Sequence, residues 1–342
     1  MGENSTNITT VVVVDFVFAD NLIVAGFTVL LGCFGLYINC AFAVFSVKSP
    51  MVNRALSKLA VSLAICDCVA LSAHVLWMAP MTMIDRTSAI GESQLGRYVG
   101  TYSLLGWFGS QYIMLAIAIN RFIAITNPMT HKEASCNHIV IFSERRMNVF
   151  LAIFWALTFA HTAIYLHPDC YFFYVSAQWF WRYDDTWCGR LWSYHYQEKF
   201  YSIAVVTGTL LFNMATFASI RKANKAVAGV GKEDLVKRQK LEVRFFVVSC
   251  LNATLFYFVL ICYAFLVEFA ISHGKWGLFW ITCASWTVSH VGNGAIAAAL
   301  IEGFRKFLLC QPLNPVNKVQ PSNVTPTGKK QHRNVAFEEE HC

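Results

Sequence analysis

Seven stretches of the chain are apolar almost without interruption, and polar or charged residues punctuate the intervals between them. They fall at approximately 22–46, 55–80, 97–125, 147–167, 199–220, 244–269 and 276–301. A helix rising 1.5 Å per residue needs about 20 mostly apolar residues to cross roughly 30 Å of hydrocarbon. Each stretch is therefore long enough to span a bilayer. The third is the least apolar, interrupted by Arg97, Tyr102, Ser103, Ser110, Gln111 and Asn120. A span with that many polar side chains is expected inside a bundle, where they can pair. No internal repeat is visible, which argues against a transporter built of duplicated halves.

Composition agrees. Of 342 residues, 56% are hydrophobic and only 14% charged, with a mean hydropathy of +0.47, whereas a soluble domain carries about 25% charged residues. Lysine and arginine stay preferentially on the cytoplasmic side. None lies in the first 21 residues. They gather at Lys48, Arg54 and Lys58, at Lys132, Arg145 and Arg146, from Arg221 to Arg244, and at Arg305 and Lys306. The alternate loops are poorer in them. The expected protein is all-α and integral to the membrane: a seven-helix bundle with the N-terminus outside and the C-terminus inside. The net charge of +7 then reflects topology, and no nucleic-acid partner is implied.

Residues 1–21 are expected to form an extracellular tail, 22–301 the membrane domain, 302–311 an amphipathic cytoplasmic helix and 312–342 a disordered tail rich in Pro, Asn, Lys and Glu. Asn4 and Asn7 begin sequons in the outer tail and are candidate glycosylation sites. No basic n-region or small-residue cleavage site precedes the first span, so it is expected to act as its own insertion signal. Cys310, beyond the basic stretch of the short helix, is a palmitoylation candidate.

Most of the twelve cysteines sit in apolar spans, where a thiol behaves as a small hydrophobe. Cys170 and Cys188 lie instead in the outer loop 168–198, on the oxidising face and without an outer-loop competitor, and are expected to pair. The same loop is crowded with aromatic residues, Trp179 among them. They fit either an interfacial belt or a lid over an outward-facing pocket.

Asp67 is the one acid deep in an apolar span. It needs a hydroxyl, an amide, a water or a cation as partner; Asn39, Ser110, Ser289, His290 and Asn293 stand at similar depth. Arg121 marks the inner end of the third span, where snorkelling alone would account for it. His161, His167, Glu268 and His290 are scattered without metal-ligand spacing, so no enzyme is expected.

These residues carry a likeness. Gly35-Leu-Tyr-Ile-Asn39, Leu59-Ala-Val-Ser-Leu-Ala-Ile-Cys-Asp67, Asn120-Arg121-Phe122-Ile-Ala-Ile-Thr-Asn-Pro128, Trp155, the Cys170–Cys188 loop with Trp179, and His290-Val-Gly-Asn293 before Glu302-Gly-Phe304-Arg305 occur in order on successive spans. Over roughly residues 20–310 the chain resembles the rhodopsin-like G-protein-coupled receptors, and more closely the nematode chemoreceptors of serpentine receptor class x. It departs from the wider pattern. Asn120 stands where a carboxylate precedes the arginine, and Gly96 where a cysteine ties the third helix to the outer loop. Gly294 and Ala297 replace the proline and tyrosine of helix seven. Leu260 and Cys262 replace the tryptophan and proline of helix six.

The resemblance implies an agonist-driven two-state equilibrium coupled to a heterotrimeric G protein at the plasma membrane, in sensory cilia if the chemoreceptor likeness holds. Asn120, Arg121, Glu242, Phe256 and Asn293 become coupling and switch residues, with Glu242 expected to hold Arg121 at rest. Asp67, Ser110, Ser289, Asn293 and Asn39 match the surroundings of a sodium site, a hydrogen-bond network without an ion being the alternative. No other cofactor is implied. Ser103, Leu104, Trp107 and Leu260, with Trp179 above, are expected to line an apolar cavity for a small odorant or pheromone-like agonist; a neuropeptide is the rival. Ser103 stands where amine receptors carry Asp, and helix seven lacks a lysine for retinal. A ligand-gated channel of opposite topology conflicts with the charge bias.

Overall fold

A computed structural model describes residues 6–48, 54–85, 87–126, 144–227 and 233–311. Eight helices account for most of them. They are α1 (Thr6–Lys48), α2 (54–84), α3 (Gln94–Thr126), α4 (144–166), α5 (188–227), α6 (233–272), α7 (274–300) and the short α8 (Glu302–Leu308). Among the described residues, α1 to α6 are each long and apolar enough to cross a membrane. The seventh, α7, contains a π-helical turn at Trp280–Ala284 that divides it into shorter pieces. Together they form a seven-helix transmembrane bundle, with α8 following α7.

Several element bounds differ from those read along the sequence; at the cytoplasmic side α5 runs on to Val227 rather than 220 and α6 begins at Glu233 rather than 244. Helix α1 reaches back to Thr6 rather than starting at 22, because no Pro or Gly interrupts residues 6–21. Helix α5 starts at Cys188, inside the expected loop, and its first 15 residues (Cys188–Ser202) are wound as π-helix. Single π-helical turns also occur in α2 at His74–Met78 and in α6 at Cys262–Leu266. Such bulges each add a residue to a turn and rotate everything beyond them.

Helix α3 is central and packs against α2, α4 and α5. Its polar residues Ser103, Ser110, Gln111 and Asn120 are buried, as expected for a span in the interior, while Tyr102 points outward and meets the Ser72 hydroxyl at 3.0 Å. Close approach of α2 depends on Gly106, where a Cβ would stand 2.6 Å from the Cys66 carbonyl oxygen and 2.7 Å from the Ala70 amide nitrogen. Small residues at such crossings let backbones meet, which matters in lipid, where apolar burial alone does not favour one face of a helix.

Above the bundle lies a two-stranded antiparallel hairpin, β1 (Phe172–Val175) and β2 (Phe180–Tyr183). Phe172 faces Tyr183 and Tyr174 faces Trp181 across the ladder. Alternation sends these four rings to one side, into the bundle. Phe173, Val175 and Phe180 cluster with Tyr171 on the other side. The Cys170–Cys188 disulfide joins the base of the hairpin to the first turn of α5.

No cysteine ties the hairpin to α3, and non-covalent contacts do so instead. The Arg97 guanidinium lies 4.5 Å from the Tyr171 ring centre and 3.8 Å from Asp184, and the Gln94 amide donates to the Tyr171 hydroxyl at 3.1 Å. Gly100 completes the seat: any Cβ there would overlap the Phe172 carbonyl oxygen, a backbone atom that cannot swing aside. Gly100→Leu is expected to lift the hairpin from α3 and lower stability by about 1–3 kcal/mol, the usual cost of overpacking. Thermal unfolding of the detergent-purified protein measures it, and a midpoint equal to wild type would refute the seat.

Candidate functional site

The inward face of the hairpin roofs an outer cavity. Its floor, a closely packed pit of about 10 Å³, is bounded by Leu104, Trp107, Phe172, Tyr183, Tyr263 and Trp286. Tyr183 and Tyr263 also border a wider space of about 330 Å³ between β2, the π-helical start of α5 and the outer ends of α6 and α7. Polar groups stand around that mouth, with Arg182 paired to Asp185 at 3.4 Å, and Arg190 and His195 beside them. The site is thus an aromatic pit beneath a charged rim.

Of the residues assigned to it from sequence, Leu104 and Trp107 border the pit. Ser103 and Leu260 are buried beside these helices but outside its lining. Trp179 is placed elsewhere. Its backbone is left-handed (φ 58°), its indole N–H donates to Asn21 at 2.9 Å, and its ring packs edge-on against Trp276 at 5.2 Å. It pins the hairpin tip to α1 and α7. Phe172, Tyr183, Tyr263 and Trp286 were missed. Alternation along the hairpin would have found the first two; the others depend on helix phase after a π-turn.

The two roles considered for the aromatic loop divide along the chain. Rings from 171 to 183 are buried or half-buried in and around the hairpin, whereas Trp187, just before α5, and Tyr196 and Phe200 within it are exposed.

Below the pit, α2, α3 and α7 bring a polar centre together around Asp67, which is wholly buried. Its Oδ1 accepts from Ser110 Oγ at 3.1 Å and lies 2.7 Å from His290 Nδ1. Asn293 Nδ2 donates to both carboxylate oxygens, at 3.0 and 2.8 Å. Asn39 stands behind this group, donating to the carbonyls of His290 and Gly35, both at 3.0 Å. Ser289 turns away and donates to the Trp286 carbonyl at 2.7 Å. His290 is thus the nearest partner of Asp67, and Trp286 in turn donates to His290 Nε2 at 2.8 Å. The i,i+4 spacing of Trp286 and His290 placed them on one helical face, a signal available in the sequence.

From Asp67 a narrow cavity of about 40 Å³ runs toward the cytoplasm past Asn39, Met114, Ile117, Asn252 and Asn293 to Arg121. Arg121 is buried, its guanidinium 5.3 Å from the Phe245 ring centre, and Asn120 is buried next to it. Phe256 stacks on Trp107 at 4.9 Å and meets His290 edge-on at 5.5 Å, linking the pit to the Asp67 centre. The side chain of Glu242 lies outside the described residues. The described tie at this end joins α6 to α8, with Glu302 between Lys306 at 2.9 Å and Arg244 at 3.6 Å. Chiefly the Lys306 hydrogen bond, with Arg244 adding less, holds the Glu302 carboxyl below the usual carboxylate range. Cys310, just past α8, is an exposed free thiol. Asn4, the side chain of Asn7 and the tail 312–342 lie outside the described residues.

Comparison with known proteins points in one direction. The family model described as "Serpentine type 7TM GPCR chemoreceptor Srx" matches residues 29–300. Serpentine receptor class X 45 of Caenorhabditis elegans is 22% identical over 312 residues, which cover 87% of this chain and 83% of that protein. The crystal structure of squid rhodopsin is similar at a TM-score of 0.68, covering 87% of this chain and 89% of its own. At 16% identity that last likeness concerns the fold alone.

Proposed function

This chain belongs to the Srx family of seven-transmembrane chemoreceptors, and on that premise we propose that it detects a small, largely apolar molecule and signals through a heterotrimeric G protein. The family and the fold are those of receptors, not of enzymes. The observation that carries the ligand reading is the aromatic lining: six apolar or aromatic side chains close a pit of about 10 Å³ beneath the hairpin, and two of them, Tyr183 and Tyr263, also border an open space of about 330 Å³ beside it. The wider space suits one ring or a short alkyl chain, which reaches the pit by parting its rings, and burial there contributes roughly 25 cal/mol per Å² of apolar surface. The rim leaves room for one polar group of the same molecule. A neuropeptide would have to stay at the rim or displace the hairpin.

An agonist works by binding one state of the bundle more tightly than the other. Phe256, Trp107 and Trp286 stand between the pit and the Asp67 centre, and the inner cavity extends from that centre to Arg121. Separation of the inner ends would widen this cavity for a G protein, with Arg121 at its mouth. The expected location is the plasma membrane, including sensory cilia.

The test is expression with a promiscuous G protein and a screen of volatile, pheromone-type and peptide compounds. Small lipophilic compounds are expected to activate. Leu104→Trp, which fills the pit, is expected to raise their half-maximal concentration at least tenfold at equal surface expression, about 1.4 kcal/mol or more. Activation by peptides alone, or potency indifferent to Leu104→Trp, would sink this reading.

A further inference from the structure

A carboxylate wholly buried in a span must be balanced by a cation or by hydrogen-bond donors. Side-chain chemistry decides between the two at Asp67. An indole N–H can only donate, so His290 Nε2, 2.8 Å from Trp286 Nε1, must be the acceptor. A neutral imidazole with Nε2 as acceptor carries its proton on Nδ1, and that atom lies 2.7 Å from Asp67 Oδ1. The Asn293 amide nitrogen faces both carboxylate oxygens and Ser110 donates to one of them. Three side chains therefore direct hydrogens at Asp67. A hard cation needs several oxygen lone pairs converging on one point. Ser289, which could have offered one, is turned to the Trp286 carbonyl. Among the described residues the amide oxygens of Asn39 and Asn293 are left without partners. Two such oxygens beside a carboxylate already taken by three donors are too few for a hard cation's shell, so the residues present do not fit a sodium ion.

The same chain of bonds leads upward. Trp286 is part of the pit floor, edge-on to Trp107 at 5.6 Å and Tyr263 at 6.2 Å, with Phe172 of the hairpin at 6.0 Å. A ligand that shifts this ring must also shift its N–H, and with it the acceptor that fixes the His290 tautomer.

We infer that Asp67 is held without a metal ion by a Trp286–His290–Asp67 relay, in which His290 occupies the place of a cation and Trp286 reports the pit to the core. His290 and Trp286 are positioning residues, acting through Asp67. The signalling half of this inference rests on the receptor reading above; the cation half does not.

The experiment uses the full chain purified in detergent, melted in matched sodium, potassium and N-methylglucamine chloride. Wild type is expected to melt at one temperature in all three. His290→Ala opens space beside the carboxylate and is expected to gain a sodium-specific rise of a few degrees, lost again when Asp67→Asn is added. In His290→Gln one amide can accept from Trp286 and donate to Asp67, so sodium indifference is expected to persist. A saturable sodium-specific rise in wild type that Asp67→Asn removes would overturn the inference, and needs no variant at His290 to fold. In cells with a promiscuous G protein, Trp286→Phe is expected to raise basal signalling several-fold at equal surface expression. Basal signalling unchanged, in a receptor whose wild type responds to ligand, would overturn the relay. Silence from every form would count against coupling to a G protein and leave the melting result to decide the Asp67 centre.

Discussion

Asp67→Leu is expected to leave almost no correctly folded receptor at the cell surface. Leucine keeps the branched outline of aspartate but is bulkier and has no acceptor, so the change removes a charge and also crowds its neighbours. Removing the carboxylate strands the Nδ1–H of His290, the amide of Asn293 and the hydroxyl of Ser110, all wholly or almost wholly buried. Breaking a buried, charge-assisted cluster from one side costs about 3–5 kcal/mol, against a total stability of about 5–15 kcal/mol for a folded protein. Asp67→Asn keeps one acceptor oxygen but turns an NH₂ toward the donors, so it should fall between leucine and wild type. Surface immunostaining and the monodisperse fraction on size-exclusion chromatography measure the loss. Wild-type values for Asp67→Leu would mean that the three donors find other partners.

Breaking the Cys170–Cys188 link is expected to have the next largest effect. The bridge closes 18 residues of chain separation, which in the chain-entropy model corresponds to about 3 kcal/mol. The hairpin it ties down supplies Phe172 and Tyr183 to the pit, so loss of the bridge should weaken ligand potency as well as stability. Cys170→Ser, Cys188→Ser and the double substitution are expected to melt at one common lower temperature, because either single change removes the whole bond. Reductant should bring wild type to the same point. A double variant clearly less stable than either single one would show that the thiols contribute separately.

Much of this architecture could be read along the chain. Run length located the seven spans to within a few residues, except at the starts of α1, α5 and α6 and the end of α5. The compartment and isolation of Cys170 and Cys188 led to their pairing. Asp67 stood out as an acid among apolar residues. The faces of the helices could not be read in the same way. In water, hydrophobic periodicity marks the buried side of a helix; in lipid both sides are apolar, and exposed Leu22, Leu30 and Phe265 look like the buried Leu59, Leu71 and Phe256. The π-turns in α2, α6 and α7 then rotate the outer halves of those helices by an amount no counting anticipates. Leu260, before the π-turn of α6, falls outside the pit, and Tyr263, within that turn, borders it.

Local substitutions acquire a reason only from their neighbours. Gly294, where the family resemblance has proline, sits against α1: a Cβ there would stand 2.7 Å from the Ile38 side chain and 3.0 Å from Asn39 Oδ1. Gly96 stands in place of a bridging cysteine, and Arg97, Gln94 and Gly100 attach the hairpin to α3 without one.

The sequence by itself determined the number of spans, their direction and the disulfide-closed outer loop. Each follows from a property of a short segment or of a compartment: the cost of placing polar groups in hydrocarbon, the retention of Lys and Arg inside, the oxidising outer face. Only the tertiary structure decided which polar atoms meet. Asp67, Ser110, His290 and Asn293 come from three helices, and their hydrogen bonds form only when Gly106 lets α2 and α3 touch and the turn at Trp280–Ala284 sets the rotation of α7. Direction in space, rather than identity along the chain, selects the donors for a buried charge.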